Sequence, residues 1–344
     1  MKELEAQSSC TTLSDASSQT DNGAHSLRSV LKENELLFRI LKRRLEDEAF
    51  GIRTIEANDK KIKFYAGLPS RSTFLHLFLF LASPPSPFSK LSLENELFLV
   101  LVRLRLGLLL EDLAARFKVH SSVASRVFQK WLDIMFVHLS FLTAWPKQDI
   151  CKRNMPAVFK ELYPNCRCII HCSEIFIETP KNFSAQSKTY SNYKKHNTIK
   201  FLIGITPFGM ICFLSECWGG RVSDKNLTQE CNFFNLVEHG GMILADGVFT
   251  ITDDLAIHGA KFEIPAFTRG KQQLSQRDVE LSKQLSRVRI HVEKVIGLLK
   301  NKYLILKGPI AISLLKHKGD RGVANIDKIL TVCCALTNMS VSIV

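Results

Sequence analysis

The sequence predicts an α/β domain in its second half and an all-α helix-turn-helix region before it. Between residues 91 and 136, apolar side chains recur with helical spacing, and one short polar turn interrupts them. Beyond Cys166 the pattern changes to short strand-like runs separated by turn residues, and a long amphipathic helix follows. Strands that alternate with helices are typical of α/β domains. A chain of 344 residues has room for one large domain and smaller ones.

The charge favours a polyanionic partner. The chain has 46 Lys and Arg against 33 Asp and Glu, a formal net charge of +13, and basic side chains release counterions when they contact phosphates. A basic protein that binds no nucleic acid has the same composition, so charge alone does not decide. The ten cysteines show no disulfide spacing, which is typical of reduced thiols in a cytosolic or nuclear protein. We expect a nuclear protein, with the cytoplasm as the alternative.

Neither a secretion signal nor a membrane span is expected. The N-terminus lacks a basic segment followed by an apolar one. The longest early apolar run, Phe74 to Ala82, is too short to cross a bilayer. Residues 1–25 are rich in Ser, Thr and other small polar types, and we expect them to be disordered.

Residues 26–60 are expected to form a short coiled coil or an amphipathic helix. Leu31, Phe38 and Leu45 recur every seven residues, and Asn34 and Leu41 lie between them on the same seam. A polar Asn on such a seam often fixes the register between two helices, which allows a homo-oligomer. A helix docked on its own domain has the same pattern.

Residues 61–140 form the predicted helix-turn-helix region, with its turn at Lys118-Val119-His120. We expect Ser121 to cap the second helix. That helix would present the DNA-binding candidates Ser121, Ser122, Ser125 and Arg126, with Gln129 beside them, to phosphates or base edges. Helical hairpins of this kind also occur as ordinary core elements.

Residues 141–165 are interpreted as a connector, and residues 166–344 as the α/β domain. The predicted elements of this domain are strands over 168–176, 198–206, 210–217 and 242–245 and a helix over 278–303. Asp246 follows the last of these strands directly, and Glu293 lies on the helix. Metal-dependent phosphoryl chemistry uses carboxylates from separate elements to hold divalent ions roughly 3.5–4 Å apart. Asp246 and Glu293 are therefore the candidate metal ligands.

Several motifs occur in a fixed order along the chain. They are Cys168-Ile-Ile-His171, Tyr190-Ser-Asn-Tyr-Lys-Lys195, Gly204-Ile-Thr-Pro, Trp218-Gly-Gly-Arg-Val-Ser-Asp224, Ala245-Asp246, Ile264-Pro-Ala-Phe-Thr-Arg-Gly-Lys271 and Arg289-Ile-His-Val-Glu293. In this order the chain resembles the DDE-type transposases of the Harbinger and THAP-associated kind, over about residues 60–344. The resemblance implies an RNase H-like fold, a Mg²⁺ or Mn²⁺ cofactor, and DNA cleavage by activated water.

Carried over by position, Asp246 is the second catalytic carboxylate and Glu293 the third, while His171 stands where the family has its first Asp. Lys194, Lys195 and Lys271 are further DNA-binding candidates, because basic side chains near the site can hold phosphates. A neutral imidazole offers one lone pair and no negative charge, so it cannot bridge two hard cations as a carboxylate does.

The histidine leads to two functional hypotheses. The first is a transposase-derived DNA-binding protein whose degenerate endonuclease domain is catalytically impaired. The alternative is an active metal-dependent endonuclease that uses Asp246, Glu293 and a substitute ligand such as Glu174, Glu178 or Asp224, or that holds a single Zn²⁺ or Mn²⁺. An inert remnant of a transposon is a third interpretation.

A separate zinc site is also conceivable, because Cys166, Cys168 and Cys172 lie close to His171 in sequence. In a strand these three thiols share one face and His171 takes the other. Structural thiols in a buried strand are the preferred interpretation.

Overall fold

The computed structural model describes residues 27–41, 50–246, 249–265, 275–316 and 322–340. These residues fall into two compact units, divided between Thr54 and Ile55. The predicted disorder of residues 1–25 and the candidate Lys271 lie outside the described residues. Within the described part of the chain, no helix has the length and apolar character that a membrane span requires.

In the first unit, residues 27–41 form helix α1, and Ile52–Thr54 form a short 3-10 helix. The helix predicted from the heptad pattern is confirmed over residues 27–41, and Leu45 lies outside the described residues. Every residue of α1 is exposed, including Leu31, Phe38 and Leu41 of the seam. Pairing between chains and docking on the same chain both stay predictions.

The second unit begins with five helices. They are α2 (Asp59–Ala66), α3 (Arg71–Leu81), α4 (Leu93–Leu106), α5 (Leu110–Arg116) and α6 (Ser121–Leu139). The side chains of Asn58, Ser70 and Ser92 cap α2, α3 and α4 by accepting a backbone N–H from the first turn. Gly107 ends α4 at a φ of 69°, and a Cβ there would lie 3.3 Å from the backbone nitrogen of Ile305. A side chain at Gly107 would therefore meet both backbone strain and a lack of space.

The turn between α5 and α6 is confirmed at Lys118 to His120, and Lys118 adopts the left-handed region with a φ of 53°. The predicted cap at Ser121 is wrong. His120 has the extended backbone of a cap residue, and its ring nitrogen Nδ1 accepts the backbone N–H of Ser122 at 3.2 Å. Ser121 is already the first residue of the helix because the chain enters helical geometry one residue earlier than the sequence suggested.

A buried carboxylate holds the helical region together. Glu96 on α4 is fully buried, and its Oε2 accepts hydrogen bonds from Trp131 Nε1 at 3.0 Å, Lys130 Nζ at 3.2 Å and Ser86 Oγ at 2.7 Å. Lys130 also donates to the carbonyl of Pro84 at 2.6 Å. The Glu96 side chain on α4 therefore binds both α6 and the proline-rich loop that precedes α4.

The last helix, α13 (Asn325–Asn338), joins the helical region to the sheet. Lys328 on α13 forms an ion pair with Asp133 on α6 at 2.6 Å, and Asn325 donates to Gln129 at 2.8 Å. At the other end of α13, the amide of Asn338 exchanges hydrogen bonds with the backbone of Ile211 in the sheet. The C-terminal half of α6 is therefore a packing surface.

The sheet is mixed. Its strands are β1 (Cys166–Phe176), β2 (Tyr190–Ser191), β3 (His196–Ile205), β4 (Ile211–Leu214), β5 (Trp218–Gly219), β6 (Met242–Leu244) and β7 (Lys261–Glu263). Strand β1 pairs antiparallel with β3 and parallel with β6, β6 pairs parallel with β7, and β2, β4 and β5 pair antiparallel with β3. The four predicted strands are confirmed with shifted ends, and β2, β5 and β7 were not predicted.

The remaining helices surround the sheet. They are α7 (Gln148–Arg153), α8 (Ala157–Leu162), α9 (Phe183–Thr189), α10 (Asp224–Glu230), α11 (Thr252–Ile257) and α12 (Gln276–Lys302). Helices α7 and α8 lie in the predicted connector, and α12 confirms the predicted long helix. A helical helix-turn-helix region followed by a mixed sheet-and-helix domain agrees with the predicted fold class.

We expect Glu96→Gln to lower the free energy of unfolding by about 1–3 kcal/mol, because the half-buried Lys130 ammonium loses its charged partner. Urea unfolding followed by circular dichroism measures the change. The matched control is Glu94→Gln, since Glu94 is the other acidic residue in the first turn of α4 and takes no part in this cluster. Equal destabilisation by both variants would contradict the assigned role of Glu96.

Candidate active site

The register of two neighbouring strands, extended by two residues, brings His171 and Asp246 to the same level. The parallel register of β1 and β6 pairs Ile169 with Leu244. His171 lies two residues beyond Ile169, and Asp246 lies two residues beyond Leu244. When this register is continued by two residues, the backbones at His171 and Asp246 lie about 4.8 Å apart, the usual spacing of neighbouring strands. The pairing of two distant segments therefore brings the candidate histidine and the candidate aspartate side by side.

The two side chains also share a face of the sheet. Ile170 and Ala245 both belong to the apolar core on one face, as do Cys168 and Ile243 before them. Side chains alternate along a strand, so the next residues, His171 and Asp246, point to the opposite face. Both are partly exposed there.

Glu293 reaches the same level from α12. The ammonium of Lys300 donates to the carbonyl of Glu174 on β1 at 2.8 Å. Toward the other end of α12, the ring of His291 packs against Phe159 of α8, which precedes β1, with ring centroids 5.7 Å apart. His291 thus lies near the start of β1 and Lys300 near its end, so α12 runs in the same direction as β1.

The spacing along these two elements then fixes the height of Glu293. The seven helical residues from Glu293 to Lys300 span about 10.5 Å. The three strand residues from His171 to Glu174 span about 10 Å. Glu293, which is exposed, therefore comes level with His171. By these spacings the three candidate positions, on β1, just after β6 and on α12, come to one height of the fold. Their catalytic roles stay predictions.

These residues do not fit a two-metal centre. The three positions supply one imidazole and two carboxylates, and a neutral imidazole cannot bridge a pair of hard cations. Across the described ranges, no three His, Cys, Asp or Glu side chains lie together as a set of metal ligands. No catalytic step through a bound metal pair follows from this arrangement.

The proposed substitute carboxylates are engaged elsewhere. Glu174 accepts a hydrogen bond from Thr198 Oγ1 at 2.7 Å and lies 3.7 Å from the ammonium of Lys200. Asp224 pairs with the same ammonium at 2.9 Å. Burial acts to lower the pKa of Lys200, but its hydrogen bond to Asp224 and the nearby carboxylate charges outweigh that effect and raise it. Lys200 thus stays charged and holds both carboxylates.

Alternation along β1 also places Glu174 on the face away from His171. Glu178, the third proposed substitute, accepts the backbone N–H of Ile312 at 3.1 Å. These placements favour neither Glu174 nor Glu178 as a replacement for the first carboxylate.

The cysteines near His171 are structural. Cys168 is fully buried, and its sulfur lies 3.8 Å from that of Cys212. Burial raises the pKa of the thiols of Cys166, Cys168 and Cys172, so these groups are not available as thiolates. The preferred interpretation of a buried strand with neutral thiols agrees with this environment.

Three groups on α12, His291, Lys300 and Lys302, have pKa values that burial lowers. Burial, with a smaller contribution from the charge of Lys294, lowers the pKa of His291. Burial and the charge of Lys194 together lower the pKa of Lys300 to about 8. Sequence analysis did not single out Lys300, because only the tertiary structure places its ammonium against the β1 backbone.

The N-terminal half of α6 presents the predicted DNA-binding side chains. Ser122, Ser125 and Arg126 are exposed, and the guanidinium of Arg126 lies 5.5 Å from the ring centroid of Phe88. Ser121 is half-buried. Gln129, expected beside them, instead bonds to Asp133 and Asn325. The candidate surface is therefore limited to the first two turns of α6.

Lys194 and Lys195 lie in the exposed turn between β2 and β3. The ammonium of Lys194 lies 4.7 Å from the ring centroid of Tyr193, and Lys195 adopts a φ of 54°. Lys271 is outside the described residues. The first two lysines extend from the same end of the sheet as Asp246, because β3 begins where β1 ends.

Comparison with known proteins gives two family matches. Residues 170–338 match the family described as DDE superfamily endonuclease, and residues 89–141 match the helix-turn-helix of DDE superfamily endonuclease. Neither the curated proteins nor the solved structures contain a significant match to this chain. The second match covers α4, α5 and α6, and the first runs from β1 into α13.

We expect His171→Asp to bind Mn²⁺ about 10–100-fold more tightly than the unmodified protein, because it adds a negative charge level with Asp246. His171→Asn is the matched control, since it removes the imidazole without adding charge. Titration calorimetry measures both affinities. Equal gains in the two variants would show that charge at position 171 does not control metal binding.

Proposed function

We propose that this chain, which carries a DDE superfamily endonuclease domain behind its helix-turn-helix, is a transposase-derived DNA-binding protein with an impaired nuclease centre. The observation that carries the proposal is His171, an imidazole on β1. The register of β1 and β6, extended two residues beyond Leu244, brings it level with Asp246. The family matches support a transposase-like endonuclease that interacts with DNA. The chemistry at position 171 argues against turnover.

The strand arrangement supports an RNase H-like fold. Three strands in antiparallel succession, β1, β3 and β4, are extended on the other side of β1 by β6 and β7, both parallel to it. Active-site carboxylates at the ends of neighbouring strands and on a late helix suit that arrangement. The motif order further supports a relative of the Harbinger and THAP-associated transposases.

DNA binding would use α6 as its principal element. Ser122 and Ser125 can donate to phosphates, and Arg126 can reach phosphates or the edge of a guanine. The other half of α6 is fixed to α13 by Asp133 and Lys328. A recognition helix anchored in this way would hold bound duplex DNA in a fixed position relative to the sheet. The net charge of +13 supplies the long-range attraction.

The first test concerns the helix-turn-helix. If Arg126 reads a base, Arg126→Ala should weaken binding to duplex DNA by about 5–100-fold. If Arg126 contacts a phosphate, the variant should instead reduce the dependence of DNA affinity on salt concentration by about one phosphate contact. Fluorescence anisotropy at several salt concentrations separates the two outcomes. Arg153→Ala, an exposed arginine on α7, is the matched control. A protein that binds no duplex DNA at moderate salt would refute the proposal.

The second test concerns turnover. The unmodified protein should leave a supercoiled plasmid intact in Mg²⁺ or Mn²⁺, and His171→Asp should introduce nicks, because it restores a carboxylate beside Asp246. Gel electrophoresis measures the relaxed form. Adding Asp246→Asn to His171→Asp controls for contaminating nucleases and should remove the nicking. Nicking by the unmodified protein that Asp246→Asn abolishes would establish the active endonuclease instead.

A further inference from the structure

A cleft lies beside α9, outside the three candidate catalytic positions. Its volume is about 380 Å³, within the range of about 300–1,000 Å³ that is usual for ligand sites. The cleft is lined by Phe183, Gln186, Ser187, Tyr190, Asn192 and Arg221. Aromatic, amide, hydroxyl and guanidinium groups thus face one open space.

The aromatic side chains of this cleft are unusually open to solvent. Phe183 is 85% exposed and Tyr190 is 40% exposed, and Tyr193 in the adjoining turn is 81% exposed. Aromatic rings normally dominate buried cores and interfaces, because burying them is strongly favourable. Exposed rings beside polar groups provide flat surfaces on which another planar group can stack.

Positive charge surrounds these rings. Between residues 179 and 200 the chain has five lysines and no acidic residue. Four of these lysines are exposed around α9 and the β2–β3 turn, as is Arg221 at the cleft: they are Lys181, Lys188, Lys194 and Lys195. An ordinary solvated basic surface has the same charge, but it does not include exposed aromatic rings at a cleft.

We propose that this cleft, called here the α9 cleft, binds single-stranded DNA by stacking unpaired bases on Phe183 and Tyr190 while the surrounding lysines contact the phosphates. Stacking platforms within a basic groove are the general means by which proteins bind single strands without reading sequence. The proposal rests on the proposed DNA-binding function and adds that this second surface binds single-stranded DNA.

The α9 cleft is held rigidly by buried contacts. The buried amide of Asn197 donates to the carbonyl of Gln186 at 2.9 Å and to Thr189 Oγ1 at 2.8 Å. A Cβ on Gly219 would lie 2.4 Å from the carbonyl oxygen of Lys188. Strand β5 is therefore so close to α9 that only glycine fits at position 219. The rings are thus presented on a preformed surface, which reduces the entropy lost on binding.

The same close approach positions the guanidinium. Arg221 follows directly after the glycines and donates to Ser187 Oγ at 2.7 Å. Its charge is therefore fixed at the wall of the cleft beside α9. A phosphate next to a stacked base would meet a cation that is already in place.

The cleft lies beyond the candidate active site along β1, because His171 precedes Phe176 by five residues, about 16 Å of strand. Phe176 at the end of β1 pairs with Thr198 near the start of β3, so the β2–β3 turn extends beyond the carboxyl end of β1. Asp246 follows the carboxyl end of β6, which is parallel to β1. A duplex frayed near Asp246 would therefore have an unpaired strand on the side of the α9 cleft.

The test compares three fluorescein-labelled DNAs by anisotropy: a blunt duplex, the same duplex with a single-stranded tail, and a single strand of about ten nucleotides. The full-length protein should bind the tailed duplex more tightly than the blunt one. Phe183→Ala and Tyr190→Ala should each weaken binding of the single strand by about 5–100-fold and leave the blunt duplex unaffected. Ile257→Ala is the matched control, because Ile257 is 84% exposed and lies outside the cleft.

The outcomes separate this inference from the proposed function. Equal binding of tailed and blunt duplexes, with both aromatic variants unchanged, overturns the α9 cleft as a single-strand site and leaves duplex binding by α6 intact. If the unmodified protein binds none of the three DNAs, both the α9 cleft proposal and the proposed DNA-binding function are refuted. Displacement of the single strand by polyglutamate as efficiently as by unlabelled oligothymidine would identify the surface as one for acidic peptides and overturn the proposal.

Discussion

The parallel pairing of β1 with β6 is the constraint on which the rest of the site depends. Ile169 and Leu244 share a level in that register, and the chain then carries His171 and Asp246 forward side by side. A shift of one residue would turn one of the two side chains to the other face of the sheet. Helix α12 depends on the same strand, because Lys300 bonds to the β1 backbone and sets the height of Glu293. These two contacts set where the three candidate positions lie in the fold.

The histidine at position 171 differs from a carboxylate chiefly in its charge. A carboxylate there would face Asp246 and concentrate negative potential where cations are needed, whereas a neutral imidazole adds none. Glu174 and Asp224 do not compensate, since Lys200 holds both on the other side of β1. The ion pairs around Lys200 stabilise the sheet and at the same time engage two of the three proposed substitute carboxylates.

The surfaces proposed to contact DNA are built on rigid supports. Helix α6 is divided into an exposed N-terminal half and a C-terminal half that is fixed to α13 through Asp133. The α9 cleft depends on the buried amide of Asn197 in a comparable way. In both places polar contacts with the rest of the fold position the exposed polar or aromatic groups. A duplex on α6 and a single strand in the cleft would therefore be held in a fixed mutual geometry.

The sequence by itself determined the features that depend on local pattern or on the chemistry of one side chain. It predicted the turn at Lys118 to His120 and the long helix that carries Glu293, and it gives an imidazole at position 171. The family matches agree with the order of its motifs. It misplaced the cap of α6 at Ser121 because capping depends on the backbone of His120, which residue type alone does not reveal.

Only the tertiary structure decided which residues meet. It paired Ile169 with Leu244, two residues before His171 and Asp246, engaged Glu174 with Lys200, and placed Arg221 beside α9. These contacts join segments far apart in the chain, and their register is set by packing on both faces of the sheet. Periodicity within a single segment carries no information about such pairings.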